Sequence, residues 1–149
     1  CALTVPRELS MRDGKLCQQP VHEIERMRGD CVCATGGETV EEPGRLFDLV
    51  VSCEGAQVIE LEIRKGVFVR YADGMLTLDM GDEGYGRDQR SIELSELRDL
   101  RVLSDTTMVE IFANGGEAAL TSRTYSPAVP AMGLHAEGAA SMDFYRLAH

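Results

Sequence analysis

Met108-Val109-Glu110-Ile111-Phe112-Ala113-Asn114-Gly115-Gly116-Glu117-Ala118-Ala119-Leu120-Thr121-Ser122-Arg123 reads as a strand, a tight reversal and a second strand. Asn-Gly-Gly supplies the positive φ values that a hairpin turn requires at low steric cost. The same punctuation recurs on both sides. Asp73-Gly74 separates strands expected at 67–71 and 75–80, and Asp13-Gly14 separates 8–12 from 15–19. Between these hairpins, apolar residues alternate with a period of two. In 45–53 one face carries Phe47, Leu49, Val51 and Cys53, and the other carries Leu46, Asp48, Val50 and Ser52. In 57–63, Ile59, Leu61 and Ile63 oppose Glu60 and Glu62. That period belongs to half-buried strands rather than to helices. Further strands are expected at 98–104, 117–125, 132–137 and 141–147.

One segment departs from the alternation. Pro20-Val21-His22-Glu23-Ile24-Glu25-Arg26-Met27-Arg28-Gly29 opens on Pro, spaces Val21, Ile24 and Met27 along one side and stops at Gly, which predicts a short helix or helical turn ending there. The total of about ten to twelve strands is too many for one flat sheet in 149 residues. The expectation is an all-β, antiparallel two-sheet β-sandwich, jelly-roll or concanavalin-like, as one domain over 1–149. With 44% apolar and 27% charged residues the composition is that of a globular protein.

The formal net charge of −10 repels phosphate backbones and anionic head groups, so neither nucleic acid nor a membrane is an expected partner. No apolar run of membrane-spanning length and no signal-peptide pattern occurs, and a cytoplasmic setting is expected. The chain opens at Cys1-Ala2-Leu3-Thr4-Val5 with apolar alternation already under way, so a fragment of a longer polypeptide is expected. Cys1, Cys17, Cys31, Cys33 and Cys53 are odd in number and irregular in spacing, which fits reduced, buried or half-buried thiols. Cys31-Val32-Cys33 has no second ligand pair in the sequence, and His22, His135 and His149 are scattered. No metal and no cofactor are therefore expected.

Catalytic constellations are equally hard to find. Gly84-Tyr85-Gly86 lacks the third glycine of a dinucleotide loop, and there is no nucleophile elbow, zinc-protease helix or P-loop. Glu60 and Glu62 read as a solvated strand border, Asp105 and Glu110 as flanks of a turn, and Arg28-Gly29-Asp30 as the end of the helical turn. Without Trp, aromatic faces for stacking on sugars are scarce. Tyr85 alone sits in a loop context that predicts exposure. With Arg87 and Arg90 it forms a candidate contact for a ligand or a neighbouring domain.

Leu3-Thr4-Val5-Pro6-Arg7-Glu8-Leu9-Ser10, Asp13-Gly14-Lys15-Leu16, Gln19-Pro20-Val21 and the stretch from Leu100 to Arg123 together resemble the C-terminal β-sandwich of glycoside hydrolase family 32. That family comprises β-fructofuranosidases: invertases, sucrose-6-phosphate hydrolases, inulinases and levanases. The resemblance implies an N-terminal five-bladed propeller in the same polypeptide as the catalytic partner. Its retaining mechanism uses carboxylates in Asn-Asp-Pro, Arg-Asp-Pro and Glu-Cys motifs. None is present here: Arg12-Asp13, Arg87-Asp88 and Arg98-Asp99 are followed by Gly, Gln and Leu, and Cys53-Glu54 runs in the reverse order. No catalytic residue is carried over. The implied role is a non-catalytic accessory domain that stabilises the propeller and contributes to any homo-oligomer, with Pro6, Arg7 and Glu8 at the interdomain contact. An exposed apolar strand face lacking its partner would be the structural sign. The alternative is a lectin-like carbohydrate-binding module. Cys17, Ser104 and Ala113 are smaller than the residues usual at these positions in the family, at an expected cost of about 1 kcal/mol each where they leave space.

Overall fold

A computed structural model describes residues 2–148; Cys1, which opens the apolar alternation, and His149 lie outside the described residues. Fourteen strands and two 3₁₀ turns follow in order: β1 (Arg7–Arg12), β2 (Lys15–Pro20), the 3₁₀ turn His22–Met27, β3 (Arg28–Thr35), β4 (Thr39–Glu41), β5 (Phe47–Ser52), β6 (Val58–Arg64), β7 (Val67–Ala72) and β8 (Met75–Asp79). The 3₁₀ turn Gly81–Gly84, β9 (Gln89–Glu93), β10 (Asp99–Ser104), β11 (Met108–Ala113), β12 (Ala118–Arg123), β13 (Ala131–Glu137) and β14 (Ser141–Leu147) complete the chain.

Two six-stranded antiparallel sheets stack as a sandwich. The first has the order β12-β11-β10-β5-β14-β3 and the second β4-β13-β6-β7-β8-β9, while β1 and β2 form a separate hairpin. Period-two alternation sends Phe47, Leu49, Val51, Val102, Ile111 and Phe144 inward from the first sheet. Ile59, Leu61, Val69, Leu76, Leu78 and Met132 meet them from the second. Burying each such side chain contributes roughly 1.5–3 kcal/mol, so the register is fixed by this inner face.

The outer face of the first sheet is where the sequence reading needs correction. Asp48, expected on an exposed face, is fully buried. Arg28 donates to it from Nε at 2.7 Å, and Arg101 donates from Nε at 3.0 Å and Nη2 at 2.7 Å. A buried carboxylate needs such partners because desolvation without them is costly. Strand β11 is buried along its whole length, so Met108, Glu110 and Phe112 on its outer side are covered as well as its inner side. The helical segment forms the 3₁₀ turn as expected but stops at Met27, and Arg28-Gly29-Asp30 begins β3 instead of ending a helix. Cys17 and Cys53 are buried as expected, whereas Cys31 and Cys33 are exposed.

Candidate interdomain surface

What covers the outer side of β11 is the N-terminal arm. Gln18 N–H donates to the Gly116 carbonyl at 2.9 Å, and Gln19 Nε2 donates to the Gly115 carbonyl at 2.5 Å. Arg12 donates to the Asn114 carbonyl, and Lys15 pairs with Glu117, whose carboxyl this ammonium holds below the usual range. The Asn-Gly-Gly turn read as a hairpin reversal is thus also the seat of a second hairpin. A Cβ built on Gly116, where φ is +89°, would stand 2.0 Å from the Gln18 carbonyl oxygen. Only glycine permits that approach.

Arg7, expected at the interdomain contact, turns its guanidinium into its own domain. It donates to Glu110 at 2.6 Å, to Thr121 Oγ1 at 2.7 Å and to Gln18 Oε1 at 2.9 Å, and it lies 5.1 Å from the Phe112 ring centroid. Glu110 also accepts the Val5 N–H at 2.7 Å. This carboxylate, read from sequence as a turn flank, is instead the buried anchor of the arm. The only sequence signal for it was a charged residue in an otherwise apolar strand. Pro6 is exposed, and its carbonyl accepts Val21 N–H at 3.0 Å. Glu8 is exposed and accepts from His22 Nδ1 at 3.1 Å. That bond is the first cause of a raised His22 pKa, and the charge of Glu23 adds to it.

With its inner side spent on the sandwich, the β1–β2 hairpin presents apolar side chains outward. Met11 pairs directly with Leu16, and Leu9 lies two residues along the same face. They are 68%, 54% and 65% exposed, and Leu3 nearby in sequence is exposed too. Beside the arm runs an apolar groove of about 380 Å³ lined in part by Val5, Pro6, Ile24, Met27 and Met108. The hairpin thus carries the unpartnered apolar face that the sequence reading named as a sign.

Tyr85, Arg87 and Arg90 lie elsewhere. Tyr85 is 78% exposed in the left-handed conformation at the end of the second 3₁₀ turn, Arg87 follows it, and Arg90 is on β9, an edge of the second sheet. They belong to the second sheet, whereas the hairpin is seated on the first, and among the described residues no hydrogen bond or ion pair joins them to Pro6, Arg7 or Glu8. Glu60 borders β6 as expected, accepting from Arg70 at 2.7 Å, and Glu62 accepts the Gly66 N–H at 3.0 Å. Asp105 caps its turn by accepting Thr106 N–H at 2.5 Å. Each of these carboxylates is already engaged structurally. In the polar cleft between the hairpin tip and the β9–β10 link, Glu96 pairs with Arg98 and Glu117 with Lys15.

Residues 67–147 match the family described as "Glycosyl hydrolases family 32 C terminal". The chain is 37% identical to a raffinose invertase of Escherichia coli over 85% of its own length and 29% of that protein. It is 31% identical to a sucrose-6-phosphate hydrolase of Salmonella typhimurium over 85% of its length and 26% of that protein. Among solved structures, the sucrose-6-phosphate hydrolase from Lactobacillus gasseri superposes with a TM-score of 0.81 at 19% identity, covering 95% of this chain and 33% of that one. The chain spans about a third or less of the length of these relatives.

Proposed function

The chain belongs to the C-terminal domain family of glycosyl hydrolases family 32, and from that premise we propose that it is the non-catalytic accessory domain of a β-fructosidase. In this reading the enzyme hydrolyses terminal fructosyl bonds in sucrose, sucrose 6-phosphate or fructans, and its chemistry resides in an N-terminal propeller of the same polypeptide. The observation that carries it is the outward face of Leu9, Met11 and Leu16 on a hairpin otherwise bonded to the sandwich. Exposed apolar clusters of this kind mark surfaces that another body covers. The domain's part is then to bury the propeller's flank and stabilise it. Pro6 and Glu8, exposed beside that face, meet the same partner, while Arg7 acts behind them by fixing the arm to Glu110.

Two measurements test this. The 149-residue chain, assayed alone, is expected to release no fructose from sucrose or sucrose 6-phosphate above a buffer blank; turnover would overturn the reading. Leu9→Asp with Met11→Asp is expected to leave the melting temperature of the 149-residue chain within about 2 °C, since exposed sites contribute little. In the full-length enzyme the same pair lowers the melting temperature by several degrees. Equal effects in both contexts would sink the interdomain assignment. Saturable chemical-shift changes around Tyr85 on adding fructo-oligosaccharides to the chain would favour a sugar-binding module instead.

A further inference from the structure

The outer face of the β3–β14 edge gathers two thiols and a carboxylate that the accessory role does not use. Cys31 and Cys33 stand two apart on β3, an edge strand, and both are exposed. On β14, Asp143 lies directly opposite Cys33, and Tyr145 lies opposite Cys31. The intervening Met142 and Phe144 point into the core, so these pairs share the outer side of the sheet. The Sγ atoms are 3.3 Å apart, and one carboxylate oxygen of Asp143 completes a set of three donors that all lie within 4.8 Å of one another. The sequence leaves Cys31-Val32-Cys33 without a third ligand; strand pairing provides one from more than a hundred residues away.

We propose that Cys31, Cys33 and Asp143 form a binding site for a thiophilic divalent cation of the zinc class. Zinc bonds thiolate sulfur at about 2.3 Å and carboxylate oxygen at about 2.0–2.2 Å in a tetrahedron, which sets two sulfurs roughly 3.8 Å apart. The thiols are within about half an ångström of that separation, a shift that χ1 rotation on an exposed strand supplies. A Cys31–Cys33 disulfide fits worse. Residues two apart on a strand have Cα atoms roughly 6.6 Å apart with parallel Cβ vectors, whereas a disulfide needs Cβ atoms about 3.8 Å apart. Bridging would draw the two Cβ atoms together and strain the pairing of β3 with β14, while a cation leaves it in place. Two sulfurs and one oxygen select a soft or borderline ion over magnesium or calcium, which prefer oxygen alone. The fourth position faces solvent and takes water. Arg28, whose guanidinium stands 4.4 Å from the Tyr145 ring centroid, does not compete for Asp143, because Asp48 holds it at 2.7 Å. The other exposed trio, Glu8, His22 and Glu23, contains no sulfur, so a sulfur-specific readout separates the two.

The test is a titration of the reduced full-length protein with cadmium and zinc chloride. Expected is a sulfur-to-cadmium charge-transfer absorption that saturates at one ion per chain and is displaced by zinc. Zinc is also expected to shield Cys31 and Cys33 from iodoacetamide, mapped by mass spectrometry, with Cys17 and Cys53 unreactive throughout. Cys33→Ser removes the absorption, and Asp143→Asn keeps it but weakens binding at least about tenfold. Circular dichroism of each variant establishes that the sandwich is intact. Absence of the charge-transfer absorption, its persistence in Cys33→Ser, or undiminished affinity in Asp143→Asn overturns the site.

Discussion

Arg64 is the largest fully buried side chain among the described residues, and no carboxylate pairs with it. Its guanidinium donates to the Ser126 carbonyl at 3.0 Å, the Thr106 carbonyl at 3.4 Å, the Arg45 carbonyl at 3.3 Å and Ser104 Oγ at 2.8 Å, as well as to the Asp105 carbonyl. Burial, with the charge of Arg45 adding to it, pushes its pKa down to about 10, so it remains charged at neutral pH. The planar fork gathers loops from both sheets onto one residue of β6. Ser104, expected from the family comparison to leave space, is an acceptor for this fork and donates in turn to the Arg45 carbonyl at 2.7 Å. Its small size makes room for the guanidinium. Arg64→Lys retains the charge but offers three donors without the fork. Because stranded buried carbonyls cost about 1–3 kcal/mol each, we expect a loss of at least about 3 kcal/mol, read as a lower urea midpoint at an unchanged slope. A loss below 1 kcal/mol would mean that water replaces the fork.

At the scale of elements, alternation revealed the strands that send several side chains from one face into the core, and the three it missed, of which β3 and β4 give the core one residue each, share a position. β3, β4 and β9 are all edges of the six-stranded sheets. An edge strand such as β9, exposed at four of its five residues, has little apolar face to alternate and so leaves no periodic signal. The donor cluster on β3 was invisible for the same reason, since its third member arrives through pairing. The N-terminal hairpin was legible through Asp13-Gly14, but its seat was not, because a glycine needed for close approach reads like one needed for a turn. Gly116→Ala separates the two roles. Backbone strain at a positive φ costs about 1–3 kcal/mol, and the clash with Gln18 adds displacement of β2. The expected result is faster amide exchange in β1 and β2, with β5, β6 and β10 still protected; uniform loss of protection would show that the arm and sandwich unfold together. The same arm carries a pH response. Glu8, with Glu23, raises the His22 pKa above its ordinary 6.5. Protonated His22 therefore steadies β1 against the 3₁₀ turn below pH 6.5, and that contribution is lost as pH rises through the folded-state pKa. An NMR titration should place His22 above 6.5 and show it falling in Glu8→Gln. An unchanged midpoint in that variant would remove Glu8 as the main cause.

At the scale of the whole molecule, the arm and the sandwich obey different physics. Among the described residues, the inter-sheet core begins at Ala34 and takes nothing from the hairpin, which is held by hydrogen bonds, ion pairs and the close approach at Gly116. The two six-stranded layers thus have a hydrophobic core independent of residues before the 3₁₀ turn. The arm is a polar-backed plate carrying an apolar front. Its removal should uncover Met108 and Phe112 on the outer side of β11 without touching the inner face. A chain beginning at Val21 is accordingly expected to keep the β-sheet circular dichroism of the 149-residue chain and to unfold in one cooperative step. Its urea slope should be smaller, in proportion to the surface no longer exposed on unfolding. Because a fresh apolar patch replaces a covered one, the shortened chain is also expected to bind an apolar dye and to self-associate at micromolar concentration. Size-exclusion chromatography with light scattering follows the association, and calorimetry follows the transition. A shortened chain that loses its cooperative transition would place the arm within the folding unit. It would then be a structural strand pair of the sandwich and not a plate built to carry a partner.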